Sequence, residues 1–300
     1  MRKRRGRPLD GWLIIDKPSG MTSTDVVNRV KRAFDAQKAG HGGTLDPLAT
    51  GVLPIAVGEA TKLAGRMLDS DKKYTFTIRF GEETDTLDAE GRVIATSDAR
   101  PTAAAVAAVL PRFTGPIDQV PPAYSALKID GERAYDLARA GEEVVLASRA
   151  VVIHALTRDG ATADGAVPEV TLTAHVSKGT YIRSLARDIA RALGTVGHVT
   201  YLRRTRAGPF DLSRAITLDK LAEAGKARTL EHCLLPLRAG LDDIPALSVT
   251  PDQARALRQG RVLAGIAADD GQHFAMLGDT PVALVEVGAR EVRVVRGFNL

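Results

Sequence analysis

The stretch His41-Gly42-Gly43-Thr44-Leu45-Asp46-Pro47-Leu48-Ala49-Thr50-Gly51-Val52-Leu53-Pro54 carries a single carboxylate, Asp46, at the end of a glycine-rich approach. Aspartate before proline is a common helix start, in which the carboxylate caps free amides and proline takes the first helical position. That reading predicts a short helix after Asp46 and makes Gly42, Gly43 and Gly51 turn punctuation. The same segment also offers chemistry. A lone aspartate with no metal ligands or cofactor cradle beside it fits a reaction that needs one nucleophile or base and nothing borrowed.

Outward from this loop, Gly11 to Asp16 reads as a buried strand ended by the turn Lys17-Pro18-Ser19-Gly20. Thr24 is expected to cap a helix that carries Val26, Val27, Val30 and Phe34 on one side. Val52 to Val57 predicts a strand, followed by a helix through Leu68. Lys73 to Phe80 alternates, with Tyr74, Phe76, Ile78 and Phe80 on one face, and Val170 to Val176 alternates likewise. From Tyr181 to Leu193 the apolar residues Ile182, Leu185, Ala186, Ile189 and Ala190 follow helical spacing. Arg183, Arg187 and Arg191 stand on another face, and Val199 to Arg204 predicts a strand leading into Arg203, Arg204 and Arg206. Strands mixed with helices in this way argue for an α+β architecture. Turn residues near 238–248 mark a boundary, followed by a short helix (Pro251 to Arg258) and brief strands of the length a small β-barrel uses.

Composition narrows the class. At 300 residues, 44% hydrophobic and 26% charged, the chain is long enough for one large domain and a small one. No apolar run approaches the roughly 18 residues of a membrane span. The Trp12–Ile15 run is too short for a signal-peptide core. Cys233 is the only cysteine, which excludes a disulfide framework and a thiolate metal cluster. A cytoplasmic protein is expected. Lys plus Arg exceed Asp plus Glu by 41 to 36, and Arg2, Lys3, Arg4, Arg5 and Arg7 crowd the start of the chain. Residues 1–10 therefore read as a basic flexible arm, either solubilising or phosphate-neutralising.

Four segments stand out in order: Lys17-Pro18-Ser19-Gly20-Met21-Thr22-Ser23, the Asp46 loop extended by Gly58-Glu59-Ala60-Thr61-Lys62, Asp71-Lys72-Lys73-Tyr74, and Ser177-Lys178-Gly179-Thr180-Tyr181-Ile182-Arg183. The run His198-Val199-Thr200-Tyr201-Leu202-Arg203-Arg204 adds to the last. Together they resemble the TruB family of tRNA pseudouridine synthases. The resemblance implies a mixed-sheet pseudouridine synthase catalytic domain over 11–240 and a PUA-like RNA-binding β-barrel over 245–300. It also implies isomerisation of a T-loop uridine of tRNA, at position 55, to pseudouridine. The N1–C1′ bond breaks, the uracil turns in place and a C5–C1′ bond forms, with no redox change. No cofactor and no metal are expected.

The resemblance makes Asp46 the catalytic residue, acting as nucleophile or base. Attack at C1′, attack at C6 and removal of the C2′ proton all remain open. Burial penalises a carboxylate and an adjacent cation favours it. Arg183 is the candidate cation, because a guanidinium stays charged and holds a carboxylate in fixed geometry; Arg187 and Arg191 are expected to reach solvent. A base inside folded RNA must be flipped out at a cost of a few kcal/mol, and an aromatic face recovers roughly 1–3 kcal/mol by stacking. The resemblance gives that stacking role to Tyr74, which by alternation alone would be a core residue. It places Tyr181 and Leu202 against the same nucleotide and His41 in the space the base vacates. Relatives often have His-Thr-Gly where this chain has His41-Gly42-Gly43, and the extra glycine is expected to loosen the loop.

The tRNA T arm is the expected partner, with no membrane, no obligatory protein partner and a monomeric chain. Three other readings compete. One is a tRNA-folding chaperone in which binding rather than catalysis is the main role. Another is an RNA-guided synthase inside a particle. The last is a hydrolytic glycosidase, disfavoured because such enzymes normally use two carboxylates.

Overall fold

The computed structural model describes residues 6–125, 127–129, 131–142, 144–160 and 165–300. Arg2, Lys3, Arg4 and Arg5 of the basic cluster lie outside these. Arg7 is docked rather than free. Its amide donates to the Asp35 carbonyl at 2.5 Å, its own carbonyl accepts from Gln37, and its guanidinium pairs with Glu231. Asp10 Oδ1 accepts from the Glu59 amide at 2.6 Å. The expected flexible arm is thus tied to the body over residues 6–10.

The core is a nine-stranded mixed sheet. Its main path runs Gly11–Lys17, Thr50–Val57, Gly197–Ala207, Lys72–Phe80, Glu169–Val176, Arg149–Arg158 and Gly115–Gln119. Neighbours on this path are antiparallel, except where Thr50–Val57 runs parallel to Gly197–Ala207 with Arg204 opposite Gly51. Trp12, Leu13, Ile14 and Ile15 are all buried because both faces of their strand are covered. Leu13 and Ile15 join a core with the helices Ser23–Ala33 and Ile182–Ala192. Trp12 and Ile14 join another with Phe274, Met276, Leu284 and Phe298 of the C-terminal segment. That segment forms a five-stranded half-barrel sheet flanked by the helix Pro251–Arg258.

Two local expectations change. The first helix is capped by Thr22, not Thr24, through a capping box in which Thr22 Oγ1 accepts from the Asp25 amide and Asp25 accepts from Thr22. No helix follows Asp46: residues 44–49 form an irregular loop, closed by the Ala49 amide donating to the Asp46 carbonyl at 3.1 Å. After Val57 the chain makes a 3-10 helix, Gly58–Leu63, before the short α-helix Ala64–Asp69.

Gly51 ends the loop with φ +98°, and a Cβ there would sit 2.2 Å from the Arg204 carbonyl oxygen. Backbone of the central parallel pair occupies the space any side chain would need. Gly51→Ala is expected to lower the unfolding free energy by at least ~1–3 kcal/mol, the cost of the conformation alone. Urea unfolding of the variant measures it, and an unchanged midpoint would contradict this packing.

Candidate active site

The Asp46 loop is held residue by residue. Arg204, 1% exposed, donates from Nη2 to the Gly43 carbonyl (3.0 Å), from Nη1 to Thr44 (3.3 Å) and from Nε to Val52 (2.7 Å). Ser23 Oγ donates to the Leu45 carbonyl and accepts from the Leu45 amide. Lys17 Nζ donates to the carbonyls of Pro18, Met21 and Pro47 at 2.9, 2.6 and 3.1 Å. The Gly20 amide adds a bond to the Pro47 carbonyl, and Ser19 Oγ donates to Leu48. Gly42 does not loosen this loop: a Cβ there would lie 2.6 Å from Met67 Cβ, so the missing side chain permits close packing.

Asp46 projects from this frame with its side chain 36% exposed, and Arg183 Nε lies 2.9 Å from its Oδ2. The contact is an ion pair, since the Nε–H is not aligned as a hydrogen bond. The rest of the guanidinium is fixed from behind. Nη1 donates to the Thr86 carbonyl at 2.7 Å and Nη2 to Tyr124 at 3.0 Å. Asp88, almost fully buried, places Oδ2 3.7 Å from the same Nε, and its Oδ1 accepts from Thr86 Oγ1 and the Glu90 amide. Between them, Leu87 adopts φ +63° while buried, a strained conformation that its neighbours enforce. Burial, then the charge of Asp88, raises the pKa of Glu90.

Asp46, Tyr74, Tyr181, Arg183 and Leu202 line one cleft of about 600 Å³. His41 is not among its lining residues. It sits on the short strand Ala39–His41, with Nδ1 buried and without a hydrogen-bond partner. Burial, then the nearby Arg204 charge, lowers its pKa, which favours the neutral ring. Ser125 and Arg149 also line the cleft, and Ser125 Oγ and Arg149 Nε are buried without partners. Arg149 lies over the Tyr181 ring, 4.8 Å from its centroid, and donates to the Gly179 carbonyl. Arg187 and Arg191 do not simply extend to solvent. Arg187 donates to the Val120 carbonyl and Asp188, and Arg191 pairs with Glu83 at 2.9 Å.

Sequence reasoning left Asp88, Ser125 and Arg149 without a role, and no spacing links them to Asp46. Arg204 stood in a basic run that reads equally well as exposed charge.

Among solved structures, the chain aligns with one from a crystal structure of a Cbf5–Nop10–Gar1 complex at TM-score 0.73 and 26% identity. The alignment covers 96% of this chain and 85% of that one. The fold is that of a pseudouridine synthase. The sequence profile of the TruB family pseudouridylate synthase N-terminal domain matches residues 31–182, and that of the tRNA pseudouridylate synthase B C-terminal domain matches 183–242. A protein of Novosphingobium aromaticivorans named tRNA pseudouridine synthase B is 64% identical over 298 residues, covering 97% of this chain and 98% of its own. One of the same name from Zymomonas mobilis is 58% identical, covering 97% and 96%. This chain belongs to the TruB pseudouridylate synthase family.

Lys17 and Lys72 are both buried, and burial lowers their ammonium pKa from 10.5 to about 8. Lys72 also donates to three carbonyls, those of Met67, Leu68 and Ser70. Between about 8 and 10.5 the unfolded chain keeps protons that the native chain has released, so stability rises with pH in that window. Lys17→Met removes one of these titrations. Its unfolding free energy is expected to climb less steeply than the parent's from pH 8 upward, as read by urea unfolding at each pH. Parallel curves would contradict the shift.

Proposed function

We propose that this chain isomerises the uridine at position 55 in the T loop of tRNA, with Asp46 as its catalytic group. The observation that carries the reading is a single accessible carboxylate, 36% exposed toward the cleft, paired at 2.9 Å with a guanidinium that is itself 6% exposed. Arg183 fixes the position of the carboxylate, because its other nitrogens are committed to the carbonyls of Thr86 and Tyr124. A carboxylate held in this way is positioned to act as nucleophile or base.

The cleft has the size of a small-ligand pocket, about 600 Å³, which admits one flipped nucleotide. Tyr74 supplies an aromatic face for the uracil, Leu202 an apolar wall, and Tyr181 a second ring in the same cleft. Ser125 Oγ and Arg149 Nε, buried and without partners, are placed to meet polar groups of the nucleotide. The N1–C1′ bond breaks, the uracil turns while held in the cleft, and the C5–C1′ bond forms. The C5 proton leaves, and N1 ends protonated. His41, outside the cleft and in its neutral form, fits the vacated position in the RNA stack. The T arm is bound through its shape and phosphates by a monomeric, cytoplasmic chain.

Tritium release from tRNA labelled at uridine C5 tests this directly. The parent chain is expected to release the label stoichiometrically. Asp46→Asn should lose at least ~10²–10⁴ in rate and still bind tRNA. Equal release by both proteins would remove Asp46 from the chemistry, and binding without release by either would favour the chaperone reading.

Affinity for tRNA is also expected to fall as salt rises, on the order of 10²-fold between 50 and 200 mM if four phosphates are contacted. Filter binding across that range checks it, and a flat response would exclude a phosphate clamp.

A further inference from the structure

Away from the cleft, the sheet brings together two histidines and a carboxylate that are far apart in sequence. The strands Arg149–Arg158 and Glu169–Val176 pair antiparallel with a bulge between Ile153 and Ala155, and the extra residue is His154. A bulge re-aims a side chain that regular alternation would send elsewhere. Here it leaves the His154 ring 4.8 Å from that of His175. Asp71 precedes the strand Lys72–Phe80, in which Lys73 pairs with His175. Its Oδ2 lies 3.1 Å from His154 Nε2 and 3.7 Å from His175 Nε2.

We propose that Asp71, His154 and His175 form a binding site for a divalent transition-metal ion of the Zn²⁺ class. A tetrahedral Zn²⁺ with bonds of ~2.0–2.2 Å holds its donor atoms roughly 3.3–3.6 Å apart. The two separations of 3.1 and 3.7 Å bracket that spacing, and all three donor atoms lie within 4.8 Å of one another. Two imidazoles and one carboxylate make a donor set that suits Zn²⁺, Co²⁺ or Ni²⁺ better than Mg²⁺. The backbone holds Asp71 in place, since its carbonyl accepts from the Gly208 amide at 3.0 Å. The positive charges of Lys73 and Arg206 lie near His175 and oppose a cation, which limits affinity.

Three protein donors leave a fourth position. Asp71 and His175 line a cleft that also holds Arg66 and Arg206, so water or a phosphate oxygen of bound RNA would complete the tetrahedron there. The phosphate alternative rests on the function proposed above, whereas the metal site does not. Sequence spacing predicted no metal ligands, because residues 71, 154 and 175 meet only through strand pairing and a bulge.

The test uses the full chain without an affinity tag, stripped with a chelator. Zn²⁺ is titrated by calorimetry, and Co²⁺ is followed by its visible absorption. One ion per chain is expected, with the intense Co²⁺ bands of a low-coordinate site. His154→Gln and His175→Gln should each weaken binding about tenfold or more, with metal-free thermal midpoints unchanged, whereas His232→Gln should bind as the parent does. No stoichiometric binding, or binding that persists in both His154→Gln and His175→Gln, would overturn the site.

Discussion

A guanidinium enclosed by protein is tolerable only where its charge is answered, and Arg183 meets that condition. Two carboxylates flank its Nε, at 2.9 and 3.7 Å, while two backbone carbonyls take its other nitrogens. Taking one partner from such a group typically costs 3–5 kcal/mol, so the pieces around it constrain one another. The helix Ile182–Ala192 must start where it does. The Thr86–Asp88 turn must carry Leu87 in a left-handed conformation, and the Asp46 loop must reach across the sheet to the same point.

That reach explains why so many buried polar groups surround an irregular loop. A loop without helical or sheet bonds leaves its carbonyls needing donors. Arg204 reaches those of Gly43, Thr44 and Val52, Lys17 reaches that of Pro47, and Ser23 satisfies both backbone groups of Leu45. These side chains order the loop. They confine the Asp46 carboxylate to one place before any substrate arrives, the preorganisation that the proposed role of Asp46 requires.

Much of the fold was legible from the amino-acid pattern. Alternation located Lys72–Phe80 and Glu169–Val176, and helical spacing located Ile182–Ala192. The misreadings have a common cause. Asp46-Pro47 carries the residues of a helix cap, but the loop's carbonyls find side-chain donors from distant segments, and the helix does not form. Arg204 was legible only as a member of a basic cluster, because nothing local distinguishes an arginine that donates to three distant carbonyls from one in water. Asp88 and Arg149 reach the site through sheet order, which no local pattern encodes. His154 faces His175 only because of a bulge.

The central claim is that the buried Arg183 fork sets up Asp46 for reaction rather than for binding. The most direct measurement is the single-turnover rate of pseudouridine formation in Arg183→Lys, taken with its tRNA dissociation constant. Lysine keeps the charge but cannot hold both carbonyls and the carboxylate in one planar geometry. The account predicts a rate reduced by ~10²-fold or more with affinity nearly unchanged. A parental rate, or a loss confined to affinity, would contradict it.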